Sequence, residues 1–260
     1  MKKLVKNEWL RLLFWIIFPL LAYQIAKISI SAIFGFLAKD ILKNPEIIKE
    51  TLFLGIFNLA FFCVMLGLIL WVPAKIFGQK ISKKTLGTDK PFDWADYGWG
   101  ILGFVVSILL AGILNQLAQN YLPGFSVGEK QDVGFSQVAR PLDMLIAFFC
   151  LTILPAFVEE IIFRGAIYGS LREIKISKNL GKVKIKIGGW ILAMIIASVL
   201  FGYAHGQLNV ALTTFAMSVV MCVIREKLTD SIWAGVVLHF LKNSIAFFLL
   251  YGLPILQLMR

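Results

Sequence analysis

The sequence of 260 residues is too apolar for a water-exposed globule. Hydrophobic residues make up 59% and charged residues 16%, whereas soluble domains carry about a quarter charged residues. The formal charge of +11 does not indicate nucleic-acid binding, because the chain has too little polar surface for such a face. In an apolar chain this excess is typical of basic cytoplasmic loops and of attraction to anionic lipid. We therefore expect a polytopic integral membrane protein.

Seven apolar runs follow one another along the chain, and each predicts a membrane-spanning helix. The predicted fold is all-α, with about seven transmembrane helices within a range of six to eight. The fifth and sixth runs are short, at about 25 Å of helix each. The three cysteines lie inside apolar runs and imply no disulfide framework. The predicted spans are 12–37, 52–74, 97–122, 142–171, 188–204, 208–224 and 231–251.

The first run also resembles the start of a secretory signal peptide. A positively charged n-region is formed by Lys2, Lys3 and Lys6. Glu8 and Arg11 interrupt the pattern, however, and no small-residue cleavage site follows. We interpret this run as a retained first span.

Basic residues are distributed unevenly between the predicted loops. With seven spans, 17 of the 26 Lys and Arg residues fall on the side of the N-terminus and 6 on the other side. Short loops rich in Lys and Arg remain in the cytoplasm. This bias predicts a multi-pass plasma-membrane protein with a cytoplasmic N-terminus and an external C-terminus.

The fourth predicted span carries three ionisable residues, which are costly inside a bilayer and therefore indicate function. Glu160 and Arg164 are four residues apart and are expected to pair on one helix face. The adjacent Glu159 points about 100° away and has no local partner. We expect Glu160 and Arg164 to support the fold, and Glu159 to face a cavity, a water molecule or a distant partner.

Both histidines of the chain lie in apolar segments near its C-terminal end. His205 ends the fifth span, and His239 lies in the seventh with Asn243 one turn later on the same face. A single histidine on an apolar helix is usually a packing residue. Two histidines, a neighbouring amide and an unpaired glutamate on three spans together predict a catalytic site.

Straight upright helices do not bring these groups together. Counted from the cytoplasmic end, Glu159 lies about 18 Å deep, His239 about 12 Å and His205 about 25 Å. We therefore expect the short fifth and sixth spans to tilt, or to join through a buried turn at 206–208.

Two further patterns have ordinary interpretations. Gly98, Gly100 and Gly103 fit GxGxxG, but they open an apolar span rather than follow a strand, so we expect no dinucleotide site. The basic loop at 172–187 alternates Lys with apolar residues. It lies on the anionic leaflet or forms a solvated loop, and the sequence favours neither.

Three motifs on successive spans resemble those of the intramembrane CAAX-protease and bacteriocin-processing (CPBP) family. They are Glu-Glu-x-x-x-Arg from Glu159, Phe-x-x-x-His ending at His205, and His-x-x-x-Asn from His239. The best-known branch of this family is the prenyl-protein endopeptidase that trims CAAX tails. The resemblance covers 142–251, the expected catalytic core, and leaves 1–141 as helices without a motif.

The resemblance implies a membrane-embedded endopeptidase and assigns roles by position. Glu159 would activate the attacking water with His205, while His239 and Asn243 would polarise the scissile carbonyl and hold the oxyanion. Glu160 and Arg164 would support the site. Zn²⁺ would use Glu159, His205 and His239 as ligands. The chain has no HExxH, however, and Asn243 suits a hydrogen-bond donor, so we favour a mechanism without a metal or other cofactor.

The expected partners are membrane lipids and a hydrophobic or lipid-anchored peptide substrate, with no nucleic acid. Short loops rich in lysine suggest a bacterial protein, and for such a protein the family resemblance implies a role in peptide maturation or immunity. Two alternatives remain open: a non-catalytic membrane scaffold or immunity protein of the same fold, and a proton-coupled transporter. The sequence predicts neither the substrate identity nor the oligomeric state.

Overall fold

The structure, a computed structural model, describes residues 7–78, 80–131, 133–135, 138, 140–180 and 183–253. The expected helical membrane fold is confirmed, since six helices in these ranges are long and apolar enough to cross a membrane. Lys2, Lys3, Lys6, Lys182 and Arg260, which entered the charge comparison, lie outside the described residues. The six long helices are α1 (Glu8–Ile41), α2 (Thr51–Phe77), α4 (Trp94–Tyr121), α5 (Pro141–Arg172), α7 (Leu208–Thr229) and α8 (Trp233–Gly252). A four-residue helix, α3 (Lys83–Leu86), lies between α2 and α4.

The fifth predicted span is shorter than expected and forms α6 (Trp190–Tyr203). Its 14 residues give a helix of about 21 Å, which is less than the ~30 Å hydrocarbon core. The chain then turns at 204–207, where Gly206 has a φ of 69° that favours glycine, and α7 begins at Leu208. A turn thus lies where the depth argument placed it, but the expectation that it is buried is wrong, because Gly206 and Leu208 are exposed.

The predicted loop at 172–187 is an antiparallel hairpin rather than an irregular segment. Strand β1 (Lys175–Leu180) pairs with β2 (Val183–Gly188), and Lys175 lies opposite Gly188 in the register. Alternation of Lys and apolar residues has the two-residue period of a strand, so the pattern contained this signal. The hairpin connects α5 to α6.

Three basic segments meet on one side of the protein. Arg172 forms ion pairs with Glu226 and Asp230 at 3.0 and 3.1 Å, and Thr85 Oγ1 donates to Glu173. Ile232 N donates to the carbonyl of Gly87. We call the described parts of 78–93, 172–189 and 225–232 the lysine-rich face.

The opposite face contains the described parts of 42–50, 122–140 and 204–207. Asn209 Nδ2 donates to the carbonyls of Val127 and Glu129, so 122–131 packs over the turn between α6 and α7. Tyr251 Oη donates to the carbonyl of Phe135 at 2.7 Å, which joins the end of α8 to the same segment. In the described ranges, seven helical segments run alternately between the two faces, six of them long and α6 short.

Helix α5 is continuous but irregular, with wide π-type turns at Phe149–Ile153 and Glu160–Tyr168. Pro155 lies between them and has no N–H to donate to the preceding turn. Such wide turns commonly occur at functional sites. Here Glu159 lies between the two wide turns, and Glu160 is the first residue of the second.

Glycines allow close backbone approach around the C-terminal helices. A Cβ at Gly169 would lie 2.0 Å from the Thr85 carbonyl oxygen, and one at Gly202 would lie 2.8 Å from that of Ala211. At Gly100 a Cβ would lie 2.6 Å from the Val237 side chain. These glycines therefore allow neighbouring backbones and side chains to pack closely.

Candidate active site

A cavity of about 440 Å³ lies among α1, α2, α5, α8 and the turn after α6. Four predicted catalytic residues line it: Glu159, His205, His239 and Asn243. They come from three separate parts of the chain, and the short α6 places His205 at the depth of the other groups. The structure therefore brings together the groups that straight helices would keep apart.

Glu160 lies behind the cavity wall and joins two other side chains. Its Oε2 is 2.7 Å from Arg164 Nε, and its Oε1 is 3.0 Å from His239 Nδ1. Glu160 is fully buried, so the carboxylate is held away from water. The ion pair with Arg164 agrees with their spacing on the helix, whereas nothing in the sequence indicated the contact with His239.

Two cationic contacts close the inner end of this cluster. The Arg164 guanidinium lies over the Phe201 ring, 4.2 Å from its centroid, and its Nη2 is 3.2 Å from Met221 Sδ. Arg225 donates hydrogen bonds to the carbonyls of Arg164 and Thr85. These contacts tie the floor of the cavity to α3 on the lysine-rich face.

Glu159, unlike the adjacent Glu160, lines the cavity. Its side chain keeps 18% exposure, and Oε2 is 3.8 Å from His239 Nε2. Among the described residues, this Oε2 has no hydrogen-bond partner. The 3.8 Å separation exceeds hydrogen-bond range, but one water molecule can contact both atoms at about 2.8 Å.

His205 lies in the turn after α6, and its backbone contact fixes the role of each ring nitrogen. Nδ1 is 2.8 Å from the Phe201 carbonyl oxygen, so Nδ1–H donates and Nε2 of the neutral ring is the acceptor. The Phe201 ring packs edge-on against both His205 and His239, at 4.9 and 5.8 Å between centroids. Phe201 therefore fixes the orientation of both imidazoles.

One face of α8 supplies three polar groups to the cavity. His239, Lys242 and Asn243 follow helical spacing, and all three line it. The described residues offer no hydrogen bond to the Asn243 amide. Lys242 interacts electrostatically with Glu159, so a cation and a carboxylate face the same space.

Several cavity residues lie outside the motif-bearing region and had no sequence signal. Tyr23 of α1, Asn58 of α2 and Gln131 of the opposite face line the wall together with Phe61 and Met65. Each of these residues occurs in a segment whose sequence is typical of an ordinary membrane span or loop. Its position at the cavity therefore depends on how the helices pack. The N-terminal helices thus provide one wall of the cavity.

The arrangement does not form a ready metal centre. Within the described ranges, no group of three His, Cys, Asp or Glu side chains is placed to hold one metal ion. The Zn²⁺ ligand set considered from the sequence, Glu159, His205 and His239, lines one cavity without forming such a group.

The groups present are those of acid–base chemistry on a carbonyl compound. A carboxylate oxygen without a partner and an imidazole acceptor are available to take a proton. Opposite them, a carboxylate-bound imidazole and an amide are available as hydrogen-bond donors to a developing oxyanion. The cavity is otherwise lined mainly by apolar side chains, which suits a hydrophobic substrate.

The motif-bearing region is similar to known membrane peptidases. Residues 141–245 match the model of the Type II CAAX prenyl endopeptidase Rce1-like family. The chain is also similar to the Bacillus subtilis (strain 168) protein named "Putative membrane peptidase YdiL", with 25% identity over 146 residues. That alignment covers 56% of this chain and 53% of the relative, so the chain spans about half the length of the relative it matches. No solved structure matches the chain.

The resemblance drawn from the three motifs is therefore confirmed. Residues 141–245 are similar to the CAAX-type endopeptidases by this match. These residues contain Glu159, Glu160, Arg164, His205, His239 and Asn243.

Proposed function

We propose that the protein is an intramembrane endopeptidase that hydrolyses a peptide bond in a hydrophobic or lipid-anchored polypeptide. The family of residues 141–245 and the similarity to a protein named as a membrane peptidase support this class of activity. The observation that carries the proposal is the position of Glu159 Oε2, unpartnered among the described residues and 3.8 Å from a carboxylate-bound imidazole.

In the proposed mechanism Glu159 is the general base. Its carboxylate takes a proton from a water molecule that also donates a hydrogen bond to His205 Nε2. The water oxygen attacks the scissile carbonyl carbon, and the C=O electron pair moves to the oxygen. As the C–N bond breaks, Glu159 returns the proton to the amine that leaves.

His239 and Asn243 stabilise the oxyanion in this mechanism. His239 carries a proton on each ring nitrogen: Nδ1–H donates to Glu160, and Nε2–H donates to the oxyanion with the Asn243 amide. Glu160 is a positioning residue, because it holds the imidazole and balances its charge while Arg164 holds Glu160.

We propose a glutamate-type mechanism that needs no metal. The lack of an HExxH motif and the position of Asn243, an amide donor, at the cavity support this subtype. The proposed location is the plasma membrane of a bacterium with the N-terminus in the cytoplasm, and the partners are membrane lipids and the peptide substrate. The basic loops support this orientation.

The test is cleavage of a membrane-anchored peptide library by the purified full chain in lipid nanodiscs. Glu159→Gln and His239→Ala should lower kcat by about 10²-fold or more, since each loses an acid–base or oxyanion group. Glu46→Gln, an exposed carboxylate that does not line the cavity, is the matched control and should cleave at the wild-type rate.

Two results would contradict the proposal. Full activity in a folded Glu159→Gln protein would show that Glu159 is not the general base. A folded wild-type protein without activity would favour the scaffold alternative. A zinc chelator should leave the rate unchanged, whereas loss of activity restored by Zn²⁺ would overturn the metal-free subtype.

A further inference from the structure

The cavity extends towards one face of the protein only. On α8 its lining runs from His239 to Tyr251, about 18 Å along the helix towards the opposite face. Gln131 and Val133 of the opposite face also line it. No described residue of the lysine-rich face lines the cavity.

The other end of the cavity is closed by buried charged groups. Glu160 and Arg164 lie behind the wall, with 0% and 1% of their surfaces exposed. Arg225, also 1% exposed, bonds to Arg164 and to Thr85 of the lysine-rich face. A substrate that reaches Glu159 from the lysine-rich face would have to displace this cluster.

The charges of the two faces differ strongly. The described parts of the lysine-rich face contain eleven basic residues, which are Lys80, Lys83, Lys84, Lys90, Arg172, Lys175, Lys178, Lys184, Lys186, Arg225 and Lys227. The opposite face contains few basic residues: Lys43, Lys49, Lys130 and Arg140 among those described. Because short basic loops remain in the cytoplasm, the lysine-rich face is the cytoplasmic one.

We infer that the catalytic cavity opens to the extracytoplasmic side of the membrane. Its substrate is then a polypeptide whose scissile segment has already left the cytoplasm, either an exported peptide or an externally exposed part of a membrane-anchored protein. The segments 122–131 and 133–135 form the mouth, and apolar side chains such as Phe61, Phe247 and Leu250 line the path to Glu159.

Cysteine labelling tests the orientation without any need for activity. Gln131→Cys places a thiol at the mouth, and Lys84→Cys places one on the lysine-rich face; both positions are exposed. The background carries Cys63→Ala, which removes the exposed native thiol, since Cys150 and Cys222 are buried. Intact bacterial cells are treated with a membrane-impermeant maleimide, before and after permeabilisation.

We expect the Gln131→Cys protein to react in intact cells, and the Lys84→Cys protein to react only after permeabilisation. The reverse pattern, or equal reaction of both proteins in intact cells, overturns the inference. Repeating the labelling in a Glu159→Gln background should give the same pattern, because orientation does not depend on catalysis.

A second arm tests substrate delivery and rests on the proposed function. A membrane-impermeant reporter peptide, chosen by cleavage with detergent-solubilised protein, is added to right-side-out and to inverted vesicles. Right-side-out vesicles should cleave it at least tenfold faster, and preferential cleavage by inverted vesicles overturns the inference. If no peptide is cleaved in detergent, the proposed function fails, while the labelling result still decides the orientation.

Discussion

The side chains of Glu159 and Glu160 leave α5 about 100° apart, and this angle gives them separate environments. Glu160 points into the protein, where Arg164 and His239 hold both of its oxygens. Glu159 points into the cavity, where one oxygen has no hydrogen-bond partner among the described residues. Adjacent carboxylates thus supply a positioning group and a candidate base.

Glu160→Ala should destabilise the protein, because Arg164 would remain buried without its carboxylate. Removing one partner of a buried ion pair costs about 3–5 kcal/mol. The measurement is thermal unfolding in detergent, compared with Lys49→Ala, which breaks an exposed pair worth at most about 1 kcal/mol. Equal midpoints for the two variants would show that Glu160 does not stabilise Arg164.

Gly235→Ala should impair cleavage without removing any polar group. An added Cβ would lie 2.9 Å from Glu160 Oε2 and 3.5 Å from Met221 Sδ, so the carboxylate must move relative to His239. We expect kcat to fall about tenfold or more, because His239 loses its fixed orientation.

The matched control for this change is Gly112→Ala on α4, where a Cβ would meet nothing within 4 Å. It should retain the wild-type kcat and gain up to about 1 kcal/mol of stability from helix propensity. Wild-type kcat in Gly235→Ala would show that the contact between Glu160 and His239 does not position the imidazole.

At the scale of elements, α5 depends on close contact with α3. The carbonyl of Thr85 lies where a side chain at Gly169 would be, and Gly165 faces Leu86 in the same way at 3.2 Å. The Gly-x-x-x-Gly spacing at Gly165 and Gly169 therefore permits a helix to pack against a short loop helix. Arg225 bonds to Thr85 and reinforces this contact.

Gly169→Ala should lower the unfolding midpoint, because its Cβ would be 2.0 Å from a backbone oxygen and α3 must move away. We expect a loss of about 1–3 kcal/mol, the usual cost of overpacking. Gly67→Ala on α2, where the space is open, should be neutral or slightly stabilising. Similar midpoints for the two variants would contradict the close packing of α3 on α5.

At the scale of the whole molecule, the opposite face is held over the turn between α6 and α7 by hydrogen bonds. Asn209 is central, since it donates to the Val127 and Glu129 carbonyls and accepts from Gln207. This network places 122–131 beside His205. The mouth of the cavity therefore depends on contacts between segments about 80 residues apart in the chain.

Asn209→Ala should loosen the mouth by removing these bonds together. We expect faster amide hydrogen exchange at 124–131 and a changed KM, with stability lowered by about 1–3 kcal/mol. Asn120→Ala is the control, because Asn120 accepts a hydrogen bond only from Gln116 on its own helix among the described residues. Unchanged exchange in Asn209→Ala would show that other contacts hold the segment.

The sequence by itself determined the membrane class, the order of the helices and the identity of the polar residues at membrane depth. These follow from composition, from the length of apolar runs and from the cost of burying charge, which are properties of single segments. The pairing of Glu160 with Arg164 was also predictable, because residues four apart share a helix face.

Only the tertiary structure decided which groups meet. The length of α6 brings His205 to the cavity, and the contact of Glu160 with His239 depends on how α5 packs against α8. Tyr23 and Asn58 join the cavity for the same reason, since α1 and α2 form its wall. Distances between helices depend on packing and on turns between spans, and the pattern of one segment contains no information about its neighbour's depth.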